Sequence, residues 1–150
     1  MPVGQWFSDF KASVGRGVSK FKNRTFKSAA MAICARIACA DGKIEDSELA
    51  ECATTMTSLD ELKAFDPTEL YSLFEDYCKR ITANKHLGRA VADKAIAALK
   101  GNNEAAVMAL GVALAIAYAD GEFQPEEQKV FKECCAVLGA DPKPYLPEAK

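Results

Sequence analysis

Four carboxylates in this sequence are spaced as two matched pairs. Asp41 precedes Glu48 by seven residues, and Asp120 precedes Glu127 by the same interval. The segments around them, ACADGKIEDSEL over 38–49 and AYADGEFQPEEQ over 117–128, align at an offset of 79 residues. Ala40-Asp41-Gly42 falls on Ala119-Asp120-Gly121, Ile44 on Phe123, Ile37 on Ile116 and Met31 on Leu110. In each copy the aspartate closes one helical stretch and the glutamate stands in the first turn of the next. A helical hairpin folds such a pair back on itself, and two hairpins about a pseudo-two-fold axis would bring all four carboxylates together. Oxygen donors facing one cavity suit a hard divalent cation (Ca2+, Mg2+ or Mn2+) better than Zn2+. An aspartate at a helix C-terminus opposes the helix dipole, which a cation or a hydrogen-bond network would offset. Asp-Gly is equally a common turn, and acidic first turns are ordinary capping chemistry, so the structural reading stands beside the metal one. The pattern is not an EF-hand loop: Gly42 follows Asp41 directly, and Lys43 fills the place of the second oxygen ligand.

Residues that would support catalysis are few. His86 is the sole histidine and lies far in sequence from both Asp-Gly turns, so a surface or capping place is expected for it. Carboxylates without an acid–base partner do not define an active site. Six cysteines, Cys34, Cys39, Cys52, Cys78, Cys134 and Cys135, show no CxxC spacing. They are expected as reduced, buried thiols of a cytosolic protein, because the opening MPVGQWFSDF has neither the charged nor the apolar region of a cleavable signal. A thiol-based or metal-dependent detoxifying enzyme is the minor alternative, with Cys134-Cys135 and Cys34/Cys39 the only residues that invite it. A reactive thiol needs an electropositive, partly exposed setting, and Glu133 beside Cys134 is the wrong sign.

The elements that position these residues read as helices throughout. The 150 residues suffice for one domain with a sizeable core. Helices are expected over 26–40, from 45 to 57, over 59–65, 67–82, 85–100 and 105–119, and from 124 to 138. Thr25 is the expected N-cap of the first of these, and Asp66-Pro67-Thr68-Glu69 opens the 67–82 helix with a capping Asp and Pro at the first position. The 85–100 helix should turn Val91, Ala95, Ile96 and Leu99 inward. AAVMALGVALAIAYA over 105–119 has fifteen apolar or glycine residues, short of the roughly twenty needed to span a bilayer. It is expected as a buried helix against its copy at 26–40. No stretch alternates long enough for a strand. The fold class is therefore all-α: a bundle of about seven helices in two pseudo-symmetric helical-hairpin halves, residues 25–150, preceded by an N-terminal arm, residues 1–24.

That arm differs from the body in charge. Residues 1–27 hold six basic residues against one acidic, a net of +5, whereas the rest holds 13 basic against 20 acidic, a net of −7. Over 4–22, Trp6, Phe7, Phe10, Val14, Val18 and Phe21 recur at three- and four-residue steps, with Lys11, Arg16, Lys20 and Lys22 mainly elsewhere on the wheel. The pattern is an amphipathic helix. It would either dock on the core through its aromatic face or lie on an anionic membrane surface, with Trp6, Phe7, Phe10, Lys11 and Lys20 as the contacts. The acidic body argues against nucleic acid.

The repeated helix–ADG–x–[IF]–x–x–x–E pattern, with the stretch KSAAMAICARIACADGKIEDSEL, resembles the TerB family of tellurite-resistance proteins over roughly residues 24–140. The resemblance implies an all-helical, two-part bundle acting without catalysis in a bacterial tellurite-resistance and stress-response complex. It implies a cytoplasmic protein, peripheral on the inner face of the cytoplasmic membrane, beside the integral membrane protein TerC and the TerD-type proteins of the operon. It further implies metal binding at the acidic positions, here Asp41, Glu48, Asp120 and Glu127. Glu45 has no acidic counterpart, because Gln124 occupies the matching place. A metal-free protein-interaction module is the alternative that titration with cations would separate.

Overall fold

A computed structural model describes residues 23–58, 63, 65–119 and 123–146. Among these residues the chain is all-helical: α1 (Arg24–Ala38), α2 (Asp46–Ser58), α3 (Pro67–Ala83), α4 (Lys85–Ala97), α5 (Asn103–Ala119), α6 (Pro125–Leu138) and a terminal 3-10 turn, Lys143–Tyr145. These are six α-helices where about seven are expected, and a pseudo-symmetry of two halves is not established by them. The amphipathic stretch over 4–22, with Trp6, Phe7, Phe10, Lys11 and Lys20, lies outside the described residues, as do Asp120 and most of 59–65.

Helix α1 is the axis of the bundle. Every residue from Ala29 to Ile37 is buried, and α3, α4, α5 and α6 all pack on it. Alanine makes this possible, since a helix with so many methyl side chains lets neighbours approach closely. Its N-cap is Asn23, whose Oδ1 accepts from the Phe26 N–H at 2.8 Å. The expected cap at Thr25 is thus corrected by two residues: the helix already starts at Arg24, which leaves Asn23 to accept from the orphan donors of its first turn. Lys27 pairs with Glu69 and ties the start of α1 to α3.

One charge lies inside. Arg36 is only 4% exposed, and its Nε donates to Asp93 Oδ1 of α4 at 3.0 Å while Nη2 donates to Glu133 Oε1 of α6 at 2.9 Å. Nη1 is buried without a hydrogen-bond partner among the described residues. The sequence marks Arg36 only as a polar interruption of an apolar helix.

The α3–α4 corner is a single residue. Asn84 is extended, its N–H bonds back to the Arg80 carbonyl, and its side chain accepts from the Leu87 N–H at 3.1 Å, so one residue caps both helices. The sharp reversal presses α4 onto α3 at Gly88, where an added Cβ would stand 2.4 Å from the Ile81 Cα. Helix α4 ends at Ala97, three residues early, in a turn that reaches Gly101. Val91, expected inward, is 39% exposed, because packing through Gly88, Ala92 and Ile96 rotates the buried stripe away from it. Helix α5 packs beside α1 and is buried as expected from Met108 to Ile116, whereas Val107 in its first turns is exposed. None of the described helices is long and apolar enough to cross a membrane. Tyr145 of the terminal turn closes the end of α6 edge-on to Phe131, with ring centroids 5.6 Å apart.

Removing a partner from a buried charge costs more than replacing the charge itself by an apolar side chain. Asp93→Ala should therefore lower the unfolding free energy by about 2 kcal/mol, the worth of a charged hydrogen bond whose acceptor is partly exposed. Arg36→Met should cost less than Asp93→Ala/Glu133→Ala. Urea denaturation of the three variants checks the order.

Candidate functional site

Helices α1 and α5 end side by side, and the first Asp-Gly turn springs from the end of α1. The Ala40 N–H bonds the Ile37 carbonyl at 3.2 Å and the Gly42 N–H bonds the Cys39 carbonyl at 2.8 Å, which closes the turn. Gly42 has φ of +95°, the left-handed conformation that the sequence expects of it. Asp41 is exposed, and its Oδ1 accepts from the Lys43 N–H at 3.3 Å, an Asx-type turn contact. Arg89 of α4 anchors the turn by donating to the Ala40 carbonyl at 3.2 Å.

The two glutamates do the same job on different helices. Glu48 Oε1 accepts from the Glu45 N–H at 2.9 Å, and Glu127 Oε1 accepts from the Gln124 N–H at 2.7 Å. Each is thereby the third-position residue of its helix, reaching back to the donor just before the first turn, as in a capping box. This accounts for the spacing of Glu48 and Glu127 without any ligand. It also sets where they stand, because both caps open onto one cleft.

That cleft has a volume of about 250 Å3. Its floor includes Ile37 and Ile116, Cys34 and Ala113, and Ala38 and Ala117, three pairs each related by the 79-residue offset. Ile44 and Cys52 join them, and Glu48, Glu51 and Glu127 line it with Gln124. Glu48 and Glu127 are thus brought to a common cavity. Asp41 is not among the lining residues, and Asp120 falls outside the described ones. Glu51 is the residue that sequence reasoning missed. It lies one turn after Glu48 on the same face of α2, a spacing of three that could have revealed it. Its counterpart in the second copy is Val130, so the repeat gave no cue.

The described residues include no group of three or more His, Cys, Asp or Glu side chains arranged to hold a metal ion. One oxygen each of Glu48 and Glu127 is engaged with its own helix cap. His86 is exposed at the start of α4 and does not line the cleft.

All six cysteines are free and buried. Burial pushes the Cys34 thiol well up, with Cys52 and Cys134 adding to it. The Cys78 thiol is raised chiefly by its hydrogen bond with Cys39, then by burial. Burial, reinforced by Asp93, Cys135 and Glu133 against the opposing pull of Arg36, carries Cys134 to about 12; burial and Asp141 carry Cys135 to about 12. Thiols held protonated in this way are poor nucleophiles.

A family model described as tellurite resistance protein TerB matches residues 27–145. A curated protein from Alcaligenes sp., named tellurium resistance protein TerB, is 33% identical over 99 residues, covering 66% of this chain and 81% of that one. No solved structure gives a significant match.

Two measurements follow from this chemistry. Glu127→Ala should lower stability by about 1 kcal/mol through loss of the cap, while Glu127→Gln, which keeps an acceptor, should cost a few tenths; thermal unfolding distinguishes them. Separately, Cys134 and Cys135 ionise near 12 when folded against an ordinary value of 9.0. Stability from this source is full below about pH 9 and declines as the pH rises from there, since only the unfolded chain then ionises. The urea midpoint should be level from pH 7 to about 8.5 and fall above it, and Cys134→Ala/Cys135→Ala should flatten that fall.

Proposed function

The chain belongs to the tellurite-resistance TerB family, and from that premise we propose that it acts without catalysis, as an adaptor or sensor in a tellurite-resistance and stress-response complex. Its working surface is the acidic cleft, which receives a basic segment of a partner protein. The observation that carries this reading is the convergence of Glu48, Glu51 and Glu127 around an apolar floor. Carboxylates around such a floor attract a cationic group and anchor the apolar chain that bears it. Among the described residues, no histidine, lysine or serine lines the cleft.

The crossing of the two hairpins supports a pseudo-symmetric arrangement as part of the same reading. Helix α2 follows α1 in sequence and packs chiefly on α3 with a lighter contact on α5, while α6 follows α5 and packs on α1 and α4. The floor pairs at the 79-residue offset fit this exchange. Partners from the operon, TerC at the inner membrane and TerD-type proteins, are the expected sources of the basic segment. A divalent cation is the second reading, favoured by the shared position of Glu48 and Glu127. Asp41 and Asp120 would complete its ligand set.

Glu48→Gln/Glu127→Gln separates charge from structure, because glutamine serves equally in a capping box. The variant should stay folded, losing no more than a few tenths of a kcal/mol per substitution, and lose tellurite resistance when it replaces the natural chain in cells. Retained resistance would remove the cleft charge from the function. Calorimetric titration of the metal-free protein with Ca2+, Mg2+ and Mn2+ tests the cation arm: heat that survives in Asp41→Asn/Asp120→Asn would exclude these aspartates as ligands.

A further inference from the structure

We infer that the exposed face of α4 is a ligand for the cleft, so that one copy of this chain seats its α4 in the acidic cleft of another. The inference rests on the reading of the cleft as a receptor for a basic, apolar-anchored segment. It names a second copy of the chain as a carrier of that segment.

Three observations support it. The first is an apolar face left in solvent. Leu87 is 65% exposed and Val91 39%. With Ala90 and Lys94, also exposed, they share the side of α4 that faces away from the buried stripe of Gly88, Ala92 and Ile96. A lone exposed leucine is ordinary. Side chains at three- and four-residue steps make a continuous ridge instead.

The second is the place of Leu87. It is the third residue of α4, after the N-cap Asn84. Helices α2, α3 and α6 put Glu48, Glu69 and Glu127 at that position, where a carboxylate suits the positive end of the helix dipole. Helix α4 forgoes that stabilisation and shows an aliphatic side chain to water. Local helix formation does not account for the choice.

The third is complementarity. The only carboxylate of α4, Asp93, is committed to Arg36. The exposed face of the helix therefore carries positive charge alone, from Lys85 and Lys94. The cleft presents the reverse pattern, with Ile37, Ile44 and Ile116 in its floor and Glu48, Glu51 and Glu127 around it. At about 250 Å3 it falls below the roughly 300–1,000 Å3 of ordinary small-molecule sites and suits branched aliphatic side chains. Ridge and cleft are different surfaces, so the contact is heterologous and builds rings or chains according to whether its rotation closes.

Sedimentation velocity of the intact chain over a range of concentrations tests this. The wild type should self-associate, its mean mass rising with concentration. Leu87→Glu sets a carboxylate against the acidic cleft and should weaken association by roughly tenfold or more. The same substitution suits the start of α4, so the fold is kept. Glu51→Lys, at an exposed cleft position, should weaken association similarly. Mixed in equal amounts, the two variants should form a complex of two chains, because each keeps the surface that the other has lost. Val107→Glu, at an exposed apolar position on α5, should associate as the wild type does, with circular dichroism verifying the fold of each variant. A monomeric wild type, variants that associate undiminished, a mixture that stays monomeric, or equal loss in Val107→Glu would overturn the inference. In any of these cases loss of resistance in Glu48→Gln/Glu127→Gln would still uphold the cleft as a site for another partner. Association as expected, with resistance retained in that variant, would uphold the self-contact and sink the partner reading.

Discussion

From Ala29 to Ile37 helix α1 is buried on every side and has to settle the one charge in that stretch internally. Arg36 does so through carboxylates from α4 and α6, which fixes the rotation of both helices around α1 as well as their distance from it. Apolar packing alone constrains such rotation weakly, since alanine-rich surfaces slide past one another at little cost. With α4 and α6 held, the ends of α1 and α5 are brought level, and the cleft forms where they stop.

The cleft itself grows out of capping. In each copy the chain passes from a largely buried helix, α1 or α5, to one that is more exposed, and the new helix begins with unsatisfied N–H groups. A glutamate at the third position answers that need in both copies. Two helix starts facing one another across two helix ends then concentrate negative charge without any residue being placed for that purpose. Function in such a site can be acquired with little structural cost, because the charges are already held for stability.

Much of this was legible in the sequence. The order of helices, the burial of most of 26–40 and 105–119, the cap at Asp66 and the buried, unbridged thiols all follow from periodicity and composition. What escaped the sequence depended on geometry between elements. Val91 has the right spacing for an inward residue, yet Gly88 lets α4 approach α3 so closely that the helix rolls and leaves it outside. Thr25 and Asn23 are both competent caps, and only the path of the chain decides between them. Glu51 was hidden for another reason: the repeat drew attention to residues present twice, and Val130 stands at its matching position. Asp41, prominent in the sequence, is used locally by its own turn.

The two walls of the cleft are unequally secured. Helix α6 buries Val130, Phe131, Cys134, Cys135 and Leu138, whereas α2 buries only Cys52 and Met56. Local opening follows the number of apolar contacts that must be given up. The wall bearing Glu48 and Glu51 is therefore the compliant jaw, and the wall bearing Glu127 is the anvil. An occupant of the space between them would displace α2 more readily than α6.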